Sequence, residues 1–205
     1  GYGYTNLSGA LTRDRLVLFA AGSLRRSDGY IHNTDFRNVN GYLRMTYDSP
    51  KAGFFDFQTG GQGRRFGSNG FYAAYNPDQF EQTATALGSL RWIKEWGLFR
   101  ICADASYRKN FDRYEWTRGT PTNYHKIARR QRQMCIRDSS TSLGGDYIYH
   151  HIFSSNLGEP MAAPRGRYKC EAERHVGNLW LRHSMRWRRF AIAASAGASF
   201  TPYGT

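Results

Sequence analysis

The sequence predicts an all-β protein, an antiparallel up-and-down transmembrane β-barrel of which the chain supplies a partial wall of about ten strands. Apolar and polar residues alternate over long runs within residues 82–109. Short polar turns and long loops also alternate along the chain. Aromatic residues make up 16% of the 205 residues, and there are 22 glycines. This composition favours strands and turns over helices.

The segment 82–109 is predicted to be one long hairpin with a turn at 94–97. A period of two is typical of a strand with one apolar and one polar face. A strand in a soluble protein has about 5–6 residues, whereas a tilted strand needs about 9–11 to cross a bilayer. The hairpin therefore favours a lipid-facing strand pair, with aromatic anchors near its ends at Trp92, Trp96, Phe99 and Tyr107. Its apolar face is predicted to carry Ala84, Ala86, Gly88, Leu90, Trp92, Phe99, Ile101, Ala103, Ala105 and Tyr107.

Further strands are predicted on both sides of this hairpin, within one domain that covers 1–205. They lie at 1–11, 16–24, 39–47 and 55–59 before it, and at 143–151, 179–187 and 190–200 after it. Polar residues and Pro50 predict short turns at 12–14, 48–51 and 188–189. Long loops are predicted at 25–37, 60–80, 110–126 and 152–174. Outer-membrane barrels show this alternation, with short periplasmic turns and long external loops, whereas a β-sandwich has no reason to keep it.

The segment 127–140 departs from the pattern. It reads IARRQRQMCIRDSS, without alternation and with the densest positive charge in the chain. The alternation of turns requires a strand and a short turn here. A basic recognition segment and a solvated turn are two interpretations. We favour a third, in which 133–139 is the translation of a sequencing adaptor carried into an assembled sequence, so that native residues are replaced and Cys135 has no biological role.

The formal net charge of +13 fits a nucleic-acid ligand, an anionic membrane surface, or a polar lumen and loops. The basic residues are scattered, which favours the last. Cys102, Cys135 and Cys170 lack metal-ligand spacing and cannot all pair, so we predict neither a zinc site nor a disulfide framework. No apolar run is long enough for a membrane helix, and neither a signal peptide nor an initiating Met is visible. We therefore expect an internal piece of a longer protein.

Three parts of the chain resemble the barrel of TonB-dependent outer-membrane receptors of the Bacteroides type, which include vitamin B12 receptors. They are 71–83 (FYAAYNPDQFEQT) with Gly88-Ser89-Leu90, 110–116 with 122–125, and 144–147 with 156–160. The resemblance implies a barrel of about 22 strands around a plug, in the outer membrane of a Gram-negative cell. It also implies outer-membrane lipid as a partner, and TonB engaged through a plug that this chain lacks. Uptake of a scarce, bulky ligand would then proceed without covalent chemistry.

The predicted long loops carry the candidates for ligand binding. Aromatic faces and guanidinium groups suit a large anionic or ring-bearing ligand such as a corrinoid or siderophore. The alternative is that these aromatic residues pack against one another to order the loops. Arg91, Arg100 and Arg108 are expected to face inward and to pair with plug or lumen carboxylates. The candidates are Tyr72, Tyr75, Arg113, Tyr114, Trp116, Arg118 and Tyr124.

Three other function classes remain as alternatives. A passive porin or adhesin-like barrel would lack a plug. A barrel enzyme of the phospholipase or protease kind requires a catalytic set at its rim, and no such motif is present. Asp112, Glu115 and His125 fall in one predicted loop, where we interpret them as solvated residues rather than a hydrolytic or metal site. A soluble basic nucleic-acid-binding β-protein would bind DNA with strong salt dependence. We predict no enzyme activity, no cofactor, no metal and no nucleic-acid partner.

Overall fold

The computed structural model describes residues 1–97, 99–120, 123–137, 141–187 and 190–202, and the side chains of 123–137 and 185–191 lie outside this description. The described chain forms a single antiparallel sheet. Its strands are β1 (Tyr2–Arg13), β2 (Leu16–Ser27), β3 (Phe36–Ser49), β4 (Gly53–Gly67), β5 (Phe80–Trp96), β6 (Phe99–Glu115), β7 (Asn123–Arg137), β8 (Thr141–Ser154), β9 (Glu159–Arg165), β10 (Tyr168–Trp187) and β11 (Phe190–Phe200).

The strands follow one another across the sheet in the order of the sequence, from β1 to β8 and then to β10 and β11. This confirms the predicted all-β, antiparallel, up-and-down arrangement. Short connections alternate with long ones as predicted, as at 14–15 and 28–35. The sheet is open, because β1 pairs with β2 alone and β11 with β10 alone among the described strands. The described part of the chain therefore forms no closed barrel.

Several strands extend into segments that the sequence predicted as loops. β4 continues to Gly67 and β6 to Glu115, and β10 begins at Tyr168. The predictions of loops at 60–80, 110–126 and 152–174 were therefore wrong over much of their length. Hydrophobic periodicity requires one buried or lipid-facing side, whereas segments such as GGQGRRFG are polar or small on both faces. Their backbone pairing leaves no periodic signal.

The short strand β9 lies beside the first residues of β10, on the side opposite β8. Cys170 of β10 pairs with Ser154 of β8 and with Pro160 of β9. Gly158 has a φ of +104°, and a Cβ there would meet the carbonyl oxygen of Glu171. The chain therefore crosses close to the β10 backbone at a position that suits glycine. β9 accommodates two prolines because it is an edge strand.

The anomalous segment 127–140 falls largely on β7. The backbone of β7 pairs in continuous register with β6, from Tyr114↔Asn123 to Arg100↔Arg137, and with β8. The strand that the alternation of turns required is thus present, and most of the unpatterned stretch belongs to it. Residues 138–140 lie outside the described residues. The origin of 133–139 in a sequencing adaptor stays a prediction.

The register places the strand side chains on two faces, since facing residues of paired strands share a face. The face of Leu90 and Trp92 is here called the apolar face, and that of Ser89 and Arg91 the polar face. Leu90 pairs with Phe57 and Ala105, as the predicted pattern required. Most exposed large apolar side chains of the described strands lie on the apolar face: Leu7, Leu11, Leu24, Val39, Met45, Tyr47, Leu90, Trp96, Phe99, Tyr107, Leu143, Tyr147, Leu179, Leu181, Ile192 and Phe200.

The polar face carries ion pairs between neighbouring strands. Arg91 lies directly opposite Asp56 of β4 and Asp104 of β6, and its Nε donates to Asp104 Oδ1 at 2.6 Å. Asp56 is 7% exposed and accepts two hydrogen bonds from Arg44, at 3.1 and 2.8 Å. A cleft of about 240 Å³ is bordered by Asp56, Arg91 and Asp104 together with Gln58. Strand alternation thus separates an apolar side from a charged, hydrogen-bonded side.

Of the three arginines expected to face inward, Arg91 forms an ion pair with Asp104 of the neighbouring strand, and pairing with a plug or lumen carboxylate stays a prediction. Arg100 lies 4.0 Å from the Glu95 carboxylate, at the limit of an ion pair. Arg108 donates to the amide oxygen of Asn110 at 3.2 Å, so its assigned partner is not a carboxylate.

The sheet forms a single layer without a large apolar core. Among the described residues, Phe80 is the one large hydrophobic side chain that is buried, at 8% exposure. The described part of the chain contains no helix that is long and apolar enough to cross a membrane.

Candidate ligand-binding site at the loop end

Three connections meet at one end of the sheet, and we call residues 28–35, 68–79 and 116–120 the loop cluster. Asn33 joins the first two, because its amide nitrogen donates to the carbonyl oxygens of Pro77 at 2.8 Å and Gln79 at 2.5 Å. Asn76 Nδ2 donates to the carbonyl oxygen of Trp116 at 2.7 Å, which ties the second connection to the third. The loop cluster is therefore one hydrogen-bonded unit.

Buried polar side chains support this unit from below. Gln79 is fully buried and Glu115 is 1% exposed. Gln79 Oε1 accepts the backbone N–H of Tyr72 at 3.1 Å, and Glu115 Oε2 accepts that of Gly119 at 2.7 Å. These bonds satisfy loop N–H groups that have no strand partner. Glu115 thereby ties the third connection to the end of β6, and Gln79 fixes the second connection internally.

Arg118 connects the third loop to the first. Its guanidinium donates to both carboxylate oxygens of Asp35, at 2.5 and 2.9 Å, and to Asn33 Oδ1 at 3.0 Å. It also lies 4.9 Å from the centre of the Phe80 ring. The hydrogen bonds from Arg118 hold the pKa of Asp35 below its usual range. This predicted ligand-binding residue is engaged in holding the loops together.

Tyr72 and Tyr114 come together on the polar face. Their ring centroids are 5.3 Å apart and nearly perpendicular, and the Phe71 ring meets Tyr72 at 4.9 Å. The Tyr72 hydroxyl donates to Glu81, which lies directly opposite Tyr114 in the register. Burial, followed by this carboxylate, raises the pKa of Tyr72 above its usual range. The two tyrosines form an aromatic surface beside a carboxylate.

Arg113 lies on the apolar face, opposite to its neighbours Asp112 and Tyr114, because adjacent strand residues alternate. It forms an ion pair with the buried Glu115 on the same face. Asp112 and Glu115 therefore point to opposite sides of β6 and do not form one constellation. The side chain of His125 lies outside the described residues.

Tyr75 and Trp116 form a separate aromatic contact, with ring centroids 5.9 Å apart. Tyr75 is 82% exposed and Trp116 is 40% exposed, so both rings offer surface to a ligand. Tyr124 belongs to β7, and its side chain lies outside the described residues.

The described candidates therefore share the loop end but lie in two aromatic pairs and two separate ion pairs rather than in one pocket. Tyr72 with Tyr114, and Tyr75 with Trp116, offer aromatic surface, whereas Arg113 and Arg118 are held in ion pairs. Their role in ligand binding stays a prediction.

Sequence reasoning missed the residues that build this end of the sheet, chiefly Asn33, Asp35, Gln79 and Glu81. Asn33 has a positive φ of 54°, which asparagine tolerates better than most residues. The sequence signal for it was only a polar residue in a loop. The contacts of Asn33 and Asp35 span more than forty residues, so no local pattern indicates them.

Comparison with known proteins does not assign this chain to a family. Within the described residues, no three His, Cys, Asp or Glu side chains are placed to hold a metal ion. No protein-family model matches the chain, and no curated protein matches it.

Proposed function

We propose that the chain is part of the wall of an outer-membrane β-barrel receptor, which takes up a bulky ligand in a TonB-dependent manner and captures it with the loop cluster. The observation that carries the proposal is the division of one up-and-down sheet into an apolar face and a polar face. The resemblance of 71–83, 110–116 and 144–147 to receptor barrels supports the same function.

The lengths of the strands support a membrane location for the apolar face. β5 and β6 have 17 residues each. A tilted strand crosses the hydrocarbon layer with about 9–11 residues, so both strands span it and project beyond it. Trp96 and Phe99, 75% and 55% exposed, lie at the short-turn end, where an aromatic girdle is expected.

The polar face supports a solvated interior. Arg91, Asp104 and Arg44 are charged side chains that remain partly exposed, so they require water or a protein partner rather than hydrocarbon. A barrel lumen supplies that environment, and a plug would cover the same side.

Two neighbouring substitutions in β5 test the membrane location. Leu90→Arg places a charge on the apolar face, and Ser89→Arg places the same charge on the polar face. An arginine facing mid-bilayer costs about 2–4 kcal/mol, or roughly 30-fold or more in insertion. We expect the full chain to float with phosphatidylcholine vesicles, Leu90→Arg to lose this insertion, and Ser89→Arg to change it by less than about twofold. Equal losses, or a parent chain that stays in the aqueous fraction, would contradict the proposal.

The source DNA tests the receptor assignment. Sequencing beyond both ends and across 126–140 is expected to reveal a signal peptide, a plug and an alternating strand in place of the basic segment. A barrel gene without a plug would instead favour a passive porin. A reading frame that starts near Gly1 with the basic segment intact would exclude the receptor.

A further inference from the structure

Three arginines lie side by side on the apolar face, near the loop end of the sheet. Arg37 of β3 is directly opposite Arg26 of β2 and directly opposite Arg65 of β4. Facing residues of paired strands share a face, and Val39, two residues along β3, belongs to the apolar face. Neighbouring strands are about 4.8 Å apart, so the three backbone positions span about 10 Å. We call Arg26, Arg37 and Arg65 the arginine row.

The described residues neutralise little of this positive charge. Within the part of the chain that the structure describes, Arg37 and Arg65 are exposed and form no hydrogen bond or ion pair. Arg65 acts on Asp35 through its charge alone. Arg26 contacts Asp28 at 3.1 Å, but both side chains are more than half exposed. Like charges directly opposite one another in a sheet repel, so the row favours an anion that accepts hydrogen bonds from more than one arginine.

An apolar groove of about 620 Å³ adjoins the arginine row. It is lined by Leu24 and Val39, and by Gly22, which has no side chain to fill it. Leu24 is two residues from Arg26, and Val39 is two residues from Arg37. Two residues cover about 7 Å along a strand, and they point to the same face. The face therefore carries a cationic site at the loop end and an apolar site directly beside it, as an amphiphilic ligand requires.

The position of the row along the strands matches the edge of a bilayer. Arg37 is twelve residues from Ser49, at the short-turn end of β3, and Arg65 is twelve residues from Gly53, at the same end of β4. Twelve residues cover about 41 Å along a strand, or about 29 Å along the membrane normal at a tilt of about 45°. The hydrocarbon core is about 30 Å thick. With the short turns at one membrane surface, the row lies at the level of the lipid phosphates on the other.

We propose that the arginine row and the groove together bind one membrane lipid with an anionic phosphate headgroup. The phosphate oxygens accept hydrogen bonds from the guanidinium groups, and an acyl chain lies in the groove. The planar guanidinium fork matches phosphate oxygens, and one basic residue at an anionic membrane surface strengthens binding by about fivefold. The inference rests on the proposed function for the position of the apolar face in a bilayer, and it adds a selective lipid to that function.

Native mass spectrometry of the full chain in nonionic detergent, titrated with phosphatidylglycerol, tests the proposal. Phosphatidylcholine, with the same acyl chains and no net charge, is the reference lipid. We expect the parent chain to prefer phosphatidylglycerol by about 30-fold or more, and Arg37→Gln/Arg65→Gln to weaken its binding by about 25-fold. Arg25→Gln/Arg64→Gln is the matched control, since it removes the same charge from neighbouring positions on the polar face. It should change the affinity by less than about twofold.

A substitution in the groove tests the position of the acyl chain. Gly22→Leu occupies the groove and retains all three arginines. A Cβ at Gly22 would meet one atom within 4 Å, a carbonyl oxygen at 3.7 Å, so the backbone accepts a side chain there. Binding of phosphatidylglycerol should weaken by about fivefold, because the chain loses apolar contact. Circular dichroism verifies that each variant retains its strand content.

Three results would overturn the proposal. Equal losses in the two double variants would show that the lipid responds to net charge alone. Inorganic phosphate that displaces phosphatidylglycerol with the same affinity would identify a soluble anion as the occupant. Binding that Gly22→Leu leaves unchanged would exclude the groove.

These outcomes are separable from the membrane proposal. A chain that floats with phosphatidylcholine vesicles but shows no preference for phosphatidylglycerol contradicts this inference alone. A chain that prefers phosphatidylglycerol in micelles through Arg37 and Arg65, yet does not enter vesicles, contradicts only the membrane-spanning wall.

Discussion

At the scale of single residues, Arg118 shows how one side chain serves a different role from the one its type suggested. An exposed loop arginine among aromatic residues predicted ligand binding. In the structure, Arg118 joins two loops through Asp35 and covers the Phe80 ring. The sequence placed it correctly at the loop end. It could not reveal that its partner lies 83 residues away.

The Arg118–Asp35 pair predicts a pH dependence of the loop cluster. Because the pKa of Asp35 is lower in the folded chain than in the unfolded one, the pair stabilises the fold above the unfolded pKa of about 4. This contribution is lost as the pH falls through the folded pKa. Both side chains are about 40% exposed, so we expect no more than about 1 kcal/mol. Hydrogen-exchange protection of 68–79, corrected for intrinsic rates, should drop about threefold to fivefold from pH 6 to pH 3.

Two variants decide whether Asp35 is the titrating group. Asp35→Asn should lower protection at pH 6 and flatten its pH dependence. Asp48→Asn removes an exposed carboxyl at the opposite end of the sheet and should leave that dependence unchanged. A pH dependence that survives in Asp35→Asn would contradict the assignment.

At the scale of strands, the sequence located nearly every element and misjudged their ends. Alternation identified β3, β5, β6 and β11, because apolar side chains recur on one face of each. The alternation is lost at the loop end of the sheet, where β4 and β6 end and β10 begins, because both faces of these segments are largely polar. This error also hid part of the site: when 110–116 is taken as loop, the alternation that separates Arg113 from Tyr114 is not visible.

Gly144 predicts a packing requirement between β8 and β10. It pairs directly with Trp180, and a Cβ at Gly144 would overlap the indole ring. Gly144→Ala should displace Trp180, lower the free energy of unfolding by about 1–3 kcal/mol and shift the tryptophan emission. Gly177→Ala is the control, because a Cβ added at Gly177 would meet no described atom within 4 Å. Urea unfolding in micelles measures both, and equal effects would show that the indole packing is unimportant.

At the scale of the whole molecule, the arrangement of strands was predictable and the open edges followed from the number of strands. What could not be predicted is how the loops assemble, since their contacts depend on three-dimensional register.

A single layer with an uncovered apolar face also has consequences in water. Leu7, Trp96 and Leu179 are each more than half exposed. Burial of such a face drives association when no lipid or detergent covers it.

We therefore expect the full chain to self-associate in aqueous buffer and to become monodisperse above the critical micelle concentration of a detergent. Sedimentation velocity measures this difference. Because the association is hydrophobic, 0.5 M salt should not reverse it. A monodisperse soluble chain that binds DNA and releases it at this salt concentration would instead support a basic nucleic-acid-binding protein.

The order of the strands also bears on how the sheet is built. Among the described strands, every pairing but one joins strands that are consecutive in the sequence. Contacts between sequence neighbours require little loop closure, so the sheet can grow one hairpin at a time. The exception is β10, which pairs with β8 although β9 lies between these two strands in the sequence. We expect the β9–β10 hairpin to form first and then to dock onto β8 as a preformed unit, with Gly158 providing the close crossing that this step requires.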